Sequence, residues 1–177
     1  DPDRFVSGTV GQPGERTFFL QARQGSLLTS VALEKLQVAA LAERIDELLD
    51  QATAEGAEDV PPQGHAPLAD ADPLDAPITE EFRVGAMALG WDDSARRVIV
   101  EAHAVAEEDV EVPDLGDDAG DEPDTLRVWI TAGQARAFAE RARTVVAAGR
   151  PPCPFCTQPL DPSGHICPRA NGYRRRP

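Results

Sequence analysis

Four residues near the end of the chain have the types and spacing of a metal site. The pattern Cys153-x2-Cys156-x8-His165-x-Cys167 gathers all three cysteines and one of the three histidines. Three thiolates and one imidazole form the ligand set of a closed tetrahedral zinc site. A CxxC turn is tight enough to aim both sulfurs at one ion. Pro159, Pro162 and Gly164 favour a turn that brings the chain back to it, and Pro154 and Pro168 stiffen the two corners. Phe155, Leu160 and Ile166 are nearly all the apolar side chains here, too few to fold the segment without a metal. All four ligand positions come from protein, which predicts a structural zinc and no catalytic residue. A redox pair would place CxxC at the head of a helix after a strand. Here it follows a helix and Pro151-Pro152. An odd cysteine count, with no leader in view, argues against a disulfide framework.

The next stretch, "RANGYRRRP", adds a basic patch with one aromatic: Arg169, Tyr173, Arg174, Arg175 and Arg176. These are candidate contacts for phosphate or another anion. The plainer expectation is a solvated tail, or one folded back on an acidic body.

That body is strongly acidic. The 177 residues carry a net charge of −14. Eight acids and no Lys or Arg lie in residues 51–81; ten acids and no Lys or Arg lie in 107–124. Residues 150–177 are net positive. A basic end on an acidic body can meet a partner that the body repels. The overall charge disfavours nucleic acid as that partner, and no apolar run is long enough to span a membrane.

Positioning elements are legible in two similar runs. "QVAALAER" (37–44) and "QARAFAER" (134–141) agree at five of eight positions. Upstream, "SVAL" parallels "RVWI", "FFLQAR" parallels "VIVEAH", and "FVSG" parallels "FRVG". Each half reads strand, strand, strand, helix. In the first, Phe5–Val10 and Thr17–Ala22 flank a type II turn at Pro13-Gly14. A strand at Leu27–Leu33 and a helix over Lys35–Gln51 follow. That helix is expected to bury Leu36, Ala40, Leu41, Ile45, Leu48 and Leu49. In the second half the strands are Phe82–Trp91, Arg97–Ala106 and Leu126–Ile130. Thr131 and Gln134 open its helix as a capping box, and Ala135, Phe138, Ala139, Ala142, Val145 and Val146 form its stripe.

The expected fold class is α+β: a tandem β-β-β-α repeat forming antiparallel sheets covered by two helices, ending in a short zinc-ribbon-like motif. Residues 1–149 form the duplicated domain (halves 1–51 and 82–149, acidic linker 52–81), and residues 150–177 the Cys3His motif with its basic tail. Both acidic stretches are expected to be mobile. His103 reads as a structural histidine and His65 as solvated; Trp91 and Trp129 read as packing residues. Arg16, Arg23, Arg83, Arg96 and Arg97 could form a basic stripe near the hairpins. Topologically the unit is similar to the Pur-alpha and Whirly nucleic-acid-binding folds, whose repeats are short antiparallel sheets ending in a helix.

Three segments together carry a closer resemblance: "RFVSGTVGQPGERTFFLQAR", "VALEKLQVAALAERIDELL" and "CPFC…GHICPRANGYRR". They resemble an uncharacterised family, found mainly in actinobacteria and catalogued as domain of unknown function 3090. The resemblance implies a cytoplasmic bacterial protein and makes the Cys/His cluster a family feature. It implies no activity.

No GxSxG, P-loop, GxGxxG-before-helix or HExxH pattern occurs. The expectation is therefore a zinc-stabilised, non-enzymatic binding or adaptor protein with a protein partner. A nucleic-acid-binding protein using the repeat fold and the Arg tail is the second reading, and an enzyme of unrecognised type the third.

Overall fold

The computed structural model describes residues 1–66, 68–105, 124–149, 152–160 and 165–169. Tyr173 and Arg174–Arg176 therefore lie outside the described residues, as does nearly all of the second acidic stretch.

The elements follow the order β-β-β-α-β-β-β-α. Strands β1 (Arg4–Val10), β2 (Thr17–Gln24) and β3 (Leu27–Leu33) lead to helix α1 (Lys35–Ala54). Strands β4 (Glu80–Asp92), β5 (Arg97–Ala104) and β6 (Thr125–Thr131) lead to α2 (Ala132–Ala147). The β1–β2 turn closes where Glu15 N donates to the Gln12 carbonyl at 2.9 Å. Gly14 takes φ +107° there, the conformation a type II turn demands of its third residue. At the β4–β5 turn, Asp92 Oδ1 accepts from Ala95 N at 2.9 Å and from Ser94 Oγ at 2.7 Å. These bonds hold the Asp92 carboxyl below the usual carboxylate range.

The strands form one mixed sheet in the order β1-β2-β3-β4-β5-β6, not separate antiparallel sheets. Every neighbouring pair is antiparallel except β3 and β4, which run parallel. The reason is the connection. After β3 the chain crosses one face as α1 before re-entering the sheet, and such a crossover returns a strand in the same direction.

Both helices lie on that face and pack on each other. Alternation sends Phe5, Phe18, Leu20, Ala22, Val98, Val100, Ala102, Val128 and Ile130 toward them. The Phe5 and Phe138 rings stack with centroids 4.8 Å apart. In α1 the buried stripe is Val38, Leu41, Ala42, Ile45, Leu49 and Ala52. Leu36 and Ala40, expected inside, are exposed. At 3.6 residues per turn, Leu36 lies roughly 200° around the helix from Val38. The α2 stripe is as expected, with Ala135, Phe138, Ala139 and Ala142 buried.

Paired charges are also buried. Arg136, only 1% exposed, donates to Asp46 Oδ1 at 2.5 Å, to the Pro61 carbonyl at 2.9 Å, and to Asp50. Asp46 also pairs with Arg143. These bonds join α1, α2 and the linker.

The first acidic stretch is the main departure from expectation. It packs on the body. Asp70 is clamped by Arg4 and Arg141, Asp75 pairs with Arg4 and Arg23, and Asp59 pairs with Arg96. The acids of this loop repel one another, but arginines distant in sequence hold Asp59, Asp70 and Asp75. The hairpin arginines Arg23, Arg83 and Arg96 are thereby engaged with acids and form no free basic stripe.

Candidate metal centre

The chain leaves α2 at Ala147, where Ala148 N closes the last turn on the Thr144 carbonyl at 2.9 Å. Pro152 and Pro159 then face each other in an isolated antiparallel bridge. Inside it, Cys153 N donates to the Gln158 carbonyl at 2.8 Å and Thr157 N to the Cys153 carbonyl at 2.9 Å. These two bonds reverse the chain within six residues, so Cys153 and Cys156 project to one side. Thr157 sits at φ +63°, a left-handed conformation that a β-branched residue rarely adopts. The turn demands it nonetheless.

The second arm supplies His165 and Cys167. One ligand atom from each of the four residues lies within 4.8 Å of every other. Cys153 Sγ and Cys167 Sγ are 3.8 Å apart, and Cys156 Sγ is 3.2 Å from His165 Nε2. A tetrahedral ion with metal–sulfur bonds of about 2.3 Å needs sulfurs roughly 3.8 Å apart. The Cys153–Cys167 separation meets that requirement and is far too long for a disulfide bond. All three cysteines are free thiols.

The two thiols of the CxxC turn differ in their electrostatics. Burial pushes the Cys153 thiol up, but N–H donors from Phe155 and Cys156 and the neighbouring thiols outweigh it, leaving Cys153 below its ordinary range. At Cys156 the Gln158 N–H lowers the pKa. Burial and the thiols of Cys167 and Cys153 outweigh that, so Cys156 is raised. A cation between the sulfurs would offset the repulsion between neighbouring thiolates. Phe155 N points at Cys153 Sγ from 3.4 Å, a contact that stabilises a thiolate. His165 Nδ1 is buried and has no hydrogen-bond partner among the described residues.

Arg169 serves this geometry as well. Its Nη1 donates to the Phe155 carbonyl at 3.3 Å, tying the second arm to the first. The other proposed basic contacts lie outside the described residues.

Sequence reasoning missed a second polar cluster. Glu101 and His103 alternate with Val98, Val100 and Ala102 along β5, so they occupy the opposite face of the sheet, yet both are buried. Arg127 Nε donates to Glu101 Oε1, and His103 Nδ1 lies 3.0 Å from Thr125 Oγ1. His103 Nε2 and Glu101 Oε2 are 3.5 Å apart, and neither has a hydrogen-bond partner among the described residues. His103 is thus buried and packed as expected. The only sequence signal was two polar residues at period two inside an apolar strand. His65 is exposed, Trp91 packs against the core, and Trp129 stays partly exposed on β6.

Fold and site together define an α+β protein with a Cys3His group, able to hold a metal, placed after its last helix. The chain belongs to the family described as protein of unknown function, DUF3090, whose model matches residues 1–167. No curated protein and no solved structure matches it.

Proposed function

We propose that Cys153, Cys156, His165 and Cys167 hold one structural zinc ion in a ribbon-like knuckle, and that the protein is a cytoplasmic binding or adaptor protein for another protein. The observation that carries this reading is the converging ligand set, four protein atoms within 4.8 Å. A fully protein-filled tetrahedral shell keeps no position for water or substrate, which is the mark of a structural zinc. The metal would fix the two arms relative to each other. That presents Phe155, 60% exposed, and Ile166, 81% exposed, on a surface too small to bury them. Rigid apolar side chains of this kind suit a protein partner. No helix among the described residues is long and apolar enough to cross a membrane.

The body supports a tandem repeat as its scaffold. Gln37 and Gln134 occupy the same place in the two helices. Gln37 Oε1 accepts from Glu34 N at 2.8 Å, and Gln134 Oε1 accepts from Thr131 N at 2.9 Å. Each amide then reaches across to the other half. Gln37 Nε2 donates to the carbonyls of Val84 and Gly85 in β4, and Gln134 Nε2 to that of Pro2 ahead of β1. Such reciprocity fits two halves of common plan related by an approximate two-fold.

The test is affinity capture from native cytosol with three baits: wild type, Cys156→Ser, and Phe155→Ser combined with Ile166→Ser. A partner retained by wild type and lost from both variants supports the adaptor reading. A partner retained equally by all three places binding elsewhere and removes the knuckle from it.

A further inference from the structure

Residues 70–77 cross the edge of the sheet at β1, and their fastening resembles a bound peptide more than a packed loop. Arg4 Nε donates to Asp70 Oδ2 at 2.6 Å and its Nη2 to Oδ1 at 2.9 Å. The same Nη2 donates to the carbonyls of Asp72 at 3.1 Å and Pro73 at 3.0 Å. From α2, Arg141 donates to Asp70 Oδ1 at 2.6 Å, to the Asp70 carbonyl at 2.8 Å and to the Asp72 carbonyl at 2.7 Å. Its Nε donates to the Ser7 carbonyl of β1 at 2.7 Å, which fixes the guanidinium. The Arg4 hydrogen bond holds the Asp70 carboxyl below its ordinary range.

Further along, Gln21 grips the main chain of Asp75 from both sides. Its Oε1 accepts from Asp75 N at 2.7 Å and its Nε2 donates to the Asp75 carbonyl at 3.0 Å. Gln21 is itself buried, 1% exposed, and its Nε2 also donates to Ser30 Oγ at 3.1 Å, which sets the amide orientation. Leu74 lies over Gly8, where any Cβ would meet its side-chain carbons at 2.6–2.9 Å.

Two properties separate this from an ordinary seam. Most of the bonds end on main-chain atoms, which any polypeptide following the same path would offer. The segment also leaves open space beside its first residues. Cavities of about 680 Å³ and 320 Å³ border Asp70 and share Ala137 and Arg141 as walls, the larger also reaching Arg4 and Phe138.

We propose that this groove recognises an acidic, leucine-bearing peptide segment of a partner protein, and that residues 70–77 are its resident ligand in cis. Arg4 and Arg141 read the carboxylate, Gln21 reads the main chain, and Gly8 admits the leucine. Arginine pairs read carboxylates well because the guanidinium fork matches their geometry. The tethered strap competes at high effective concentration, so an incoming peptide must match its chemistry to displace it. The groove shares no residue with the Cys/His knuckle, and the inference does not rest on the metal.

The test uses a fluorescein-labelled peptide of residues 68–79, titrated by anisotropy into the full chain. The Asp70→Asn, Leu74→Ala double variant, weakened only in the strap, is expected to bind it about ten-fold tighter than wild type. A labelled peptide carrying Asp70→Asn should bind that variant about ten-fold more weakly than the native one. A folded variant that binds native and scrambled peptides alike overturns the proposal. So does a variant that dimerises and takes up no peptide, since the groove then serves a second copy. Should the double variant not fold, hydrogen exchange on wild type decides. Exchange of the Asp75 amide about 100-fold faster than that of Leu20 in β2 supports a strap that leaves and returns. Exchange at the Leu20 rate makes the segment part of the fold and overturns the proposal.

Discussion

Between the sheet and the two helices, apolar side chains from Phe5 to Ala142 close a continuous core. Between Cys153 and Cys167 the arrangement inverts: Phe155 and Ile166 are exposed, and what converges is four ligand atoms. The body excludes water by burying area, and its buried charges are paired within it. Among its described residues the knuckle shows two backbone bonds, one isolated bridge and three thiols near an imidazole. The two regions therefore answer to different forces. The body should fold without metal, and the knuckle should not. Perturbing one should leave the other largely untouched.

The strongest blow to the body is Asp46→Ala. It strips Arg136 and Arg143 of a shared carboxylate and leaves buried Arg136 with Asp50 and the Pro61 carbonyl. Urea unfolding should show a loss of about 3 kcal/mol, with metal content unchanged. A loss of metal at the same time would show that the two regions fold as one.

A middle-sized effect is expected at the strap. Asp70→Asn removes charge-assisted bonds to two arginines and should cost about 2 kcal/mol. The pH dependence follows from the depressed folded pKa of Asp70. Its contribution is fully present above the unfolded value, about 3.9, and is lost as pH falls through the lower folded one. The stability gap between wild type and variant should therefore be flat from about pH 8 to pH 5 and shrink below about pH 4. A gap that is widest in acid would contradict the ion-pair account.

The smallest effect should be confined to the knuckle. Thr157→Gly relieves the left-handed strain at φ +63° but adds freedom to the open chain. Competition with a chromophoric chelator should show zinc held about three-fold more tightly, and urea unfolding of the body should not change. Weaker zinc binding would mean that the threonine hydroxyl, which donates to the Cys156 carbonyl at 2.6 Å, matters more than the strain.

How much of this was legible in the sequence depended on distance along the chain. The Cys/His quartet is local, and its spacing alone predicted the convergence. The α2 cap was equally local: Thr131 and Gln134 are three residues apart. At α1 the same cap uses Glu34, a weaker signal, and the misplaced phase that put Leu36 inside came from counting apolar residues without fixing the start. Strand identity was readable from alternation, but strand partners were not. Nothing near Ser30 or Glu80 announces that β3 and β4 run parallel, because the crossover through α1 decides it. The strap was illegible for the same reason. Asp70 looks like one acid among many until Arg4, 66 residues before it, and Arg141, 71 after it, arrive beside it. Arg136, flanked by Ala135 and Ala137 beside the apolar stripe, was a visible anomaly whose meaning required α1.

One zinc ion on Cys153, Cys156, His165 and Cys167 would fix the two arms of the knuckle. The most direct test is elemental analysis of undenatured protein purified without chelator, paired with alkylation of its thiols. About one equivalent of zinc per chain is expected, with Cys153, Cys156 and Cys167 protected until a chelator is added. Less than about half an equivalent, with Cys153 freely alkylated in the folded protein, would contradict it.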